Sequence, residues 1–151
     1  MKSCLKNKER IGFTIIELLV VLAIIALMAS LAIVFFSPTA AKSRDARREE
    51  DIKALHGALN LYINQNSLYP ICPSEAVIDG NSDCLSSALL GAEAIKSMPV
   101  GPKFTGAGTC GGVDSFVYCY GSPNGVSYTI RYYLETDTVS GKIKGWQIVN
   151  P

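Results

Sequence analysis

The sequence predicts an α+β chain in which one long N-terminal helix, apolar over its first half, packs its second half against a small antiparallel sheet. Three observations predict it. Nineteen residues without a charge run from position 18 to 36, interrupted in polarity only by Ser30. Apolar residues then recur at helical spacing to about residue 66, and the last third holds three segments rich in β-branched and aromatic residues. At 151 residues the chain has room for one compact head once that helix is set aside. Overall the composition is 48% hydrophobic with a formal charge of +1, an average that hides a sharp division along the chain.

The first element is a short basic prefix, residues 1–12. Lys2, Lys6, Lys8 and Arg10 against Glu9 give it a net +3, which leaves −2 for the remainder. A slightly acidic body gives no electrostatic reason to bind nucleic acid along its surface, so nucleic acid is not an expected partner. Phe13, Ile15 and Ile16 extend the apolar run toward the prefix. Some 20 such residues at ~1.5 Å each match the ~30 Å hydrocarbon core of a bilayer, so residues 13–37 read as a membrane-spanning helix half. Lys42, Arg44, Arg47, Arg48 and Lys53 crowd its other end, so the distribution of positive charge does not settle its orientation.

The helix is expected to continue from 39 to 67. Ile52, Leu55, Leu59, Tyr62 and Ile63 form one apolar stripe, while Arg48, Glu49, Asp51, Lys53 and Asn60 occupy other faces. Pro38 is expected to bend or loosen the helix near residues 34–37. From Phe13 to about Asn66 the helix would be roughly 80 Å long at ~1.5 Å per residue, more than a small head can cover. The mixed-charge patch of residues 44–53, with Glu49 and Lys53 in favourable i,i+4 order, reads as a solvated face. Pro70 disfavours helical geometry at Tyr69 and closes the element. His56, the single histidine, has no companion at catalytic spacing and reads as a surface or packing residue.

Residues 68–115 read as a loop region rich in Gly, Ser and Pro, with a helical turn or two at 85–90. Residues 116–120, 126–134 and 145–149 read as three antiparallel strands within a sheet region 116–150, the second alternating through Tyr128, Ile130, Tyr132 and Leu134. Ser122, Pro123, Asn124 and Gly125 supply the turn between the first two. Trp146 and the tyrosines are assigned to sheet packing rather than to a binding face.

Cysteine usage fixes the orientation. Cys4 lies in the prefix, whereas Cys72, Cys84, Cys110 and Cys119 form an even set in the head with no His among them and no C-x₂-C pair. Two disulfides are favoured over a metal. Of the three possible connectivities, the local one, Cys72 with Cys84 and Cys110 with Cys119, is the expectation. Disulfides persist on the oxidising side of a membrane, which places residues 38–151 outside and the prefix in the cytoplasm.

The segment Gly12-Phe13-Thr14-Ile15-Ile16-Glu17-Leu18-Leu19 combines a short basic peptide ending in Gly, then Phe, then an acid four residues on, then an unbroken apolar helix. This resembles the class III leader of type IV pilins and type II secretion pseudopilins, over residues 1 to about 70. The stretch that ends in Tyr69-Pro70 is similar to the close of the long helix in that family. The resemblance implies a pilin fold, cleavage after Gly12 by the prepilin peptidase and methylation of the new amino terminus at Phe13. It also implies that Glu17 pairs with the Phe13 amino group of a neighbouring subunit during assembly. A carboxylate at the edge of an apolar helix needs a partner, since burying it costs roughly 2.5 to 3.5 kcal/mol at mid-membrane. The plainer role for Glu17 is that of an acid near a helix N-terminus.

The implied function is a structural subunit of a type IV pilus-like filament. Alternatives are a type II secretion pseudopilin and a competence pilin that binds DNA. Its partners would be further copies of itself, inner-membrane lipid before assembly, the prepilin peptidase and an assembly platform. It would sit in the cytoplasmic membrane with its head outside, then in an extracellular or periplasmic filament. A secretory signal peptide is disfavoured, because the apolar run exceeds the usual signal core and begins with a carboxylate. An ordinary signal anchor leaves Gly12 and Glu17 unexplained. No nucleophile and base pair, metal cluster or phosphate loop supports an enzyme. No cofactor is expected. Major pseudopilins typically hold calcium in the last inter-strand loop, but here residues 136–144 offer only Asp137 as a clear hard ligand, so calcium is weakly supported. Four head cysteines also depart from the usual pseudopilin and favour a pilus.

Overall fold

The computed structural model describes residues 12–151 except 107, 113 and 114, and within the long helix the side chains of residues 32–38 lie outside the described set. The prefix 1–11, with Cys4, is therefore outside it, as is the loosening expected at residues 34–37. The chain divides into two compact units, Met1–Pro38 and Thr39–Pro151. Helix α1, Ile15–Asn66, contributes to both and continues through Pro38.

In the first unit the described helix presents apolar side chains to its surroundings on every face. Ile15, Ile16, Leu19, Ile25, Leu27, Met28 and Leu31 are all more than half exposed. Ser30 satisfies its hydroxyl locally by donating to the Leu27 carbonyl at 2.7 Å. Among the described residues no helix is long and apolar enough to cross a membrane. The apolar run read from the sequence continues into residues 32–38.

The second unit is a four-stranded antiparallel sheet packed on the remainder of α1. Strands β1 (Cys72–Val77), β2 (Cys119–Ser122), β3 (Thr129–Leu134) and β4 (Gly145–Val149) lie in the order β1-β2-β3-β4. The expected stripe forms the helix side of the core, with Ile52, Leu55 and Leu59 buried and Tyr62 and Ile63 partly so. Tyr120, Ile130, Tyr132 and Leu134 bury the opposing sheet face, which is the alternation read in β3. The two faces are also joined through phenols. The Tyr118 hydroxyl donates to Asp51 at 2.7 Å, the Tyr132 hydroxyl donates to Glu49 at 2.5 Å, and Tyr128 meets His56 Nδ1 at 2.6 Å. His56 is thus a packing residue.

The sheet corrects the three-strand expectation. β1 arises inside the stretch read as loop, because Cys-Pro-Ser-Glu-Ala-Val has little strand propensity. An edge position tolerates its proline, and the register with β2 shifts between Cys72 and Ala76. Helix α2 (Cys84–Gly91) follows, with Asp83 as its N-cap accepting from the amides of Leu85 and Ser86 at 3.0 and 2.9 Å. Helix α1 ends where expected, Ser67 adopting a left-handed φ of 64°. The β2–β3 turn then docks on that end, the Tyr69 amide donating to the Gly125 carbonyl at 2.8 Å. Gly125 has φ +73°, and a Cβ there would stand 3.0 Å from the Tyr69 carbonyl oxygen, so glycine is required.

The charged patch at residues 44–53 is not the solvated face expected. Asp45 and Arg48 are fully buried. Arg48 donates to Asp45 at 2.6 Å and to Glu135 at 2.8 Å, and Arg44 grips both oxygens of Glu135 at 2.8 and 2.7 Å. Lys103 reaches the same carboxylate at 2.7 Å. Asp45 in turn accepts from the amides of Glu135 and Thr136 at 3.0 and 2.8 Å and from the Thr136 hydroxyl at 2.7 Å. Glu49 pairs with Lys142 across the fold at 2.8 Å, not with Lys53. The physical reason is reach: four charges on one helix flank find partners at the end of β3 and in the loop that follows it, which the helical periodicity of α1 cannot reveal. Hydrogen bonds from Arg44, opposed by burial and joined by those from Lys103 and Arg48, hold the Glu135 carboxyl well below the ordinary range.

Two expectations follow. Asp45→Ala takes one of its two carboxylate partners from the buried Arg48 and the acceptor from the Glu135 and Thr136 amides, and lowers the stability of the detergent-solubilised chain by about 3 kcal/mol, read by denaturant unfolding followed through Trp146 fluorescence. A carboxylate whose folded pKa is depressed stabilises the fold above its unfolded value and loses that contribution as pH falls toward the folded one. Unfolding midpoints of the wild type therefore drop below about pH 4.3, the unperturbed Glu value. Glu135→Gln makes that drop shallower.

Candidate processing and assembly site

The N-terminal segment is built by a cap. Gly12, Phe13 and Thr14 are non-helical, and α1 begins at Ile15. The Thr14 carbonyl accepts the first intrahelical bond, from the Leu18 amide at 3.2 Å, which makes Thr14 the N-cap residue. Its hydroxyl oxygen accepts from the Glu17 amide at 3.3 Å. Glu17 reciprocates, its Oε2 accepting from the Thr14 amide at 3.4 Å and from the Thr14 hydroxyl at 3.2 Å. This is a capping box, in which a threonine and an acid three residues later satisfy each other's free amides. It holds Glu17 in the first turn, where a negative charge also favours the helix dipole.

Around the cap the chain is open. Phe13 is 76% exposed, Gly12 has no heavy atom within 4 Å of where a Cβ would stand, and Glu17 is exposed. The Gly12–Phe13 bond thus lies outside the helix and is exposed, and the first turn of α1 places one acid at the rim of an apolar rod. The sequence reading named Gly12, Phe13 and Glu17 but missed Thr14. The Thr-x-x-Glu pattern immediately before an apolar run was the signal for it.

In the head, Cys72 pairs with Cys84 and Cys110 with Cys119, each with Cα atoms 5.9 Å apart, as the local connectivity requires. The first bridge ties the start of β1 to the start of α2. The second ties the 108–118 segment to β2. Glu75 lies beside Cys110 and Cys119, but both sulfurs are consumed by the bridge and offer no thiolate to a metal. In the β3–β4 loop the Asp137 carboxylate accepts from the Lys144 amide at 2.5 Å, while the Lys142 ammonium spans both Glu49 oxygens. Calcium finds no further support in this loop.

The outer sheet face carries a row of rings. Phe116, Tyr133 and Trp146 meet edge to face at 5.5 and 5.8 Å, with Lys103 over Phe116 at 4.2 Å and Arg131 over Trp146 at 5.6 Å. The Trp146 indole donates to the Gly112 carbonyl at 3.1 Å, and the two cations are paired with Glu135 and Glu75. These groups are engaged with one another, which is the packing role expected of Trp146.

Comparison with known proteins bears on the N-terminal segment. The family model described as the prokaryotic N-terminal methylation motif matches residues 7–33. The type IV major pilin protein PilA of Myxococcus xanthus is 35% identical over 63 residues, which is 42% of this chain and 29% of that protein. The type II secretion system core protein G of Vibrio cholerae is 34% identical over 65 residues, 43% of this chain and 44% of that protein. Core protein G of Klebsiella pneumoniae is 37% identical over 59 residues, 39% of this chain and 42% of that protein. The chain thus spans less than half the length of these curated relatives. No solved structure matches. Gly12, Phe13, the Thr14–Glu17 cap and the first four turns of exposed apolar helix all fall within the matched motif, and over this N-terminal part the chain is similar to a type IV major pilin and to type II secretion system core proteins G.

Proposed function

We propose that the protein is a structural subunit of a type IV pilus-like filament, processed after Gly12 and polymerised through α1. The observation that carries the reading is an apolar helix, exposed on every face from Ile15 to Leu31, that begins three residues after Gly12 inside a matched methylation motif. Such a surface is stable only under cover. A bilayer covers it before assembly and a bundle of like helices afterwards. The prefix then faces the cytoplasm and the disulfide-bonded head lies outside. The partners that follow are the prepilin peptidase, an assembly platform and further copies of this chain. Glu17 is the assembly residue. Among the described residues its carboxylate meets Thr14, and it is available to the Phe13 amino group that cleavage creates on a neighbour.

A second reading is a type II secretion pseudopilin. The core protein G relatives favour it, because the matched segment forms 44% and 42% of their length against 29% of the M. xanthus pilin. The two disulfides of the head favour the pilus. Isolation of surface filaments and identification of their main subunit decides between them.

Mass spectrometry of the membrane-derived protein should give an N-methylated Phe13 as first residue; retention of residues 1–12 overturns the proposal. Glu17→Ala should be inserted and cleaved yet form no filaments. Glu17→Gln keeps the acceptor geometry of the cap without its charge, and should also fail to assemble. Normal filaments from either variant would remove Glu17 from the assembly step.

A further inference from the structure

The Thr14–Glu17 box does more than satisfy amides, because of where it stops the helix. The first described residues, Gly12, Phe13 and Thr14, are non-helical, so the Gly12–Phe13 peptide lies just outside α1. An endopeptidase binds its substrate in extended form, and a helical bond must unwind before it can be cut. In water an uncapped helix end frays, but at the edge of an apolar run there is little water to accept the freed groups. Loss of the cap is then resolved by the helix growing backward. The next residue suited to capping is glycine, and here that is Gly12. A helix capped at Gly12 would draw the Gly12–Phe13 peptide into its first turn.

We infer that Thr14 is a positioning residue of the processing reaction: its side chain fixes the start of α1 at Ile15 and so keeps the Gly12–Phe13 bond extended for the peptidase. The inference rests on the proposed function, since it presumes cleavage at that bond. Three observations independent of the sequence match support it. The Thr14 hydroxyl accepts from the Glu17 amide at 3.3 Å, the Thr14 carbonyl starts the helical ladder, and both Gly12 and Phe13 are exposed. Glu17 is the lesser half of the device. Glu17→Ala keeps the backbone amide that the Thr14 hydroxyl accepts from, so the helix start survives that change while assembly does not.

The test uses the full chain co-expressed with its peptidase and follows precursor loss by pulse-chase. Thr14→Val has nearly the shape of threonine but no capping oxygen, and should slow cleavage about fivefold, the factor to which a cap worth ~1 kcal/mol converts at room temperature. Thr14→Ser and Thr14→Asn both restore a capping side chain and should be cut at the wild-type rate. Carbonate extraction should show all four chains equally inserted. Wild-type cleavage rates for Thr14→Val overturn the inference. Slow cleavage of Thr14→Asn together with Thr14→Val also overturns it, because the peptidase would then be reading the threonine itself. Absence of any cut at Gly12–Phe13 in the wild type defeats the proposed function instead, so the two failures are distinct.

Discussion

Uncovered apolar surface on α1 is the constraint from which the rest of the architecture follows. From Ile15 to Leu31 nearly every large side chain is exposed. At about 25 cal/mol per Å² such a surface strongly favours any arrangement that hides it from water. Lipid and a sister helix are both suitable covers, and they differ in what they ask of Glu17. Lipid leaves the acid to its own threonine, whereas a neighbouring subunit can offer it a cation.

The head solves a separate problem. Its helix must hold a sheet whose strands come from distant stretches of chain, and apolar packing of Ile52, Leu55 and Leu59 is not directional. Direction comes from ions. Asp45 and Arg48 clamp the end of β3 through Glu135 and Thr136, and Glu49 reaches Lys142 in the following loop. A buried ionic cluster adds little stability relative to apolar residues of the same volume, but a shift of one residue along α1 would leave several charges without partners. The cluster therefore specifies the register of helix on sheet.

What the sequence made legible was whatever repeats locally. The apolar stripe of α1, the alternation of β3, the closing residues before Pro70 and the even cysteine set all depend on neighbours a few positions apart, and each appears in the structure. The fourth strand did not show, since an edge strand with proline and a register shift has no propensity signature and exists only because β2 pairs with it. The ionic cluster was hidden for a related reason, its partners being about 90 residues apart. Thr14 is the exception. Its partner is three residues away, and the miss came from weighing Glu17 against a neighbouring subunit and the helix dipole but not against the residue that caps the helix.

Both disulfides close short loops onto the sheet, spanning separations of 12 and 9 residues. Between the cysteines, Ile78 and Tyr118 are buried and Tyr118 bonds to Asp51 of α1, whereas exposed positions such as Ser74 and Asn81 can be exchanged without disturbing that packing. Such stapled panels leave an exterior whose surface chemistry can drift while the packed interior stays fixed.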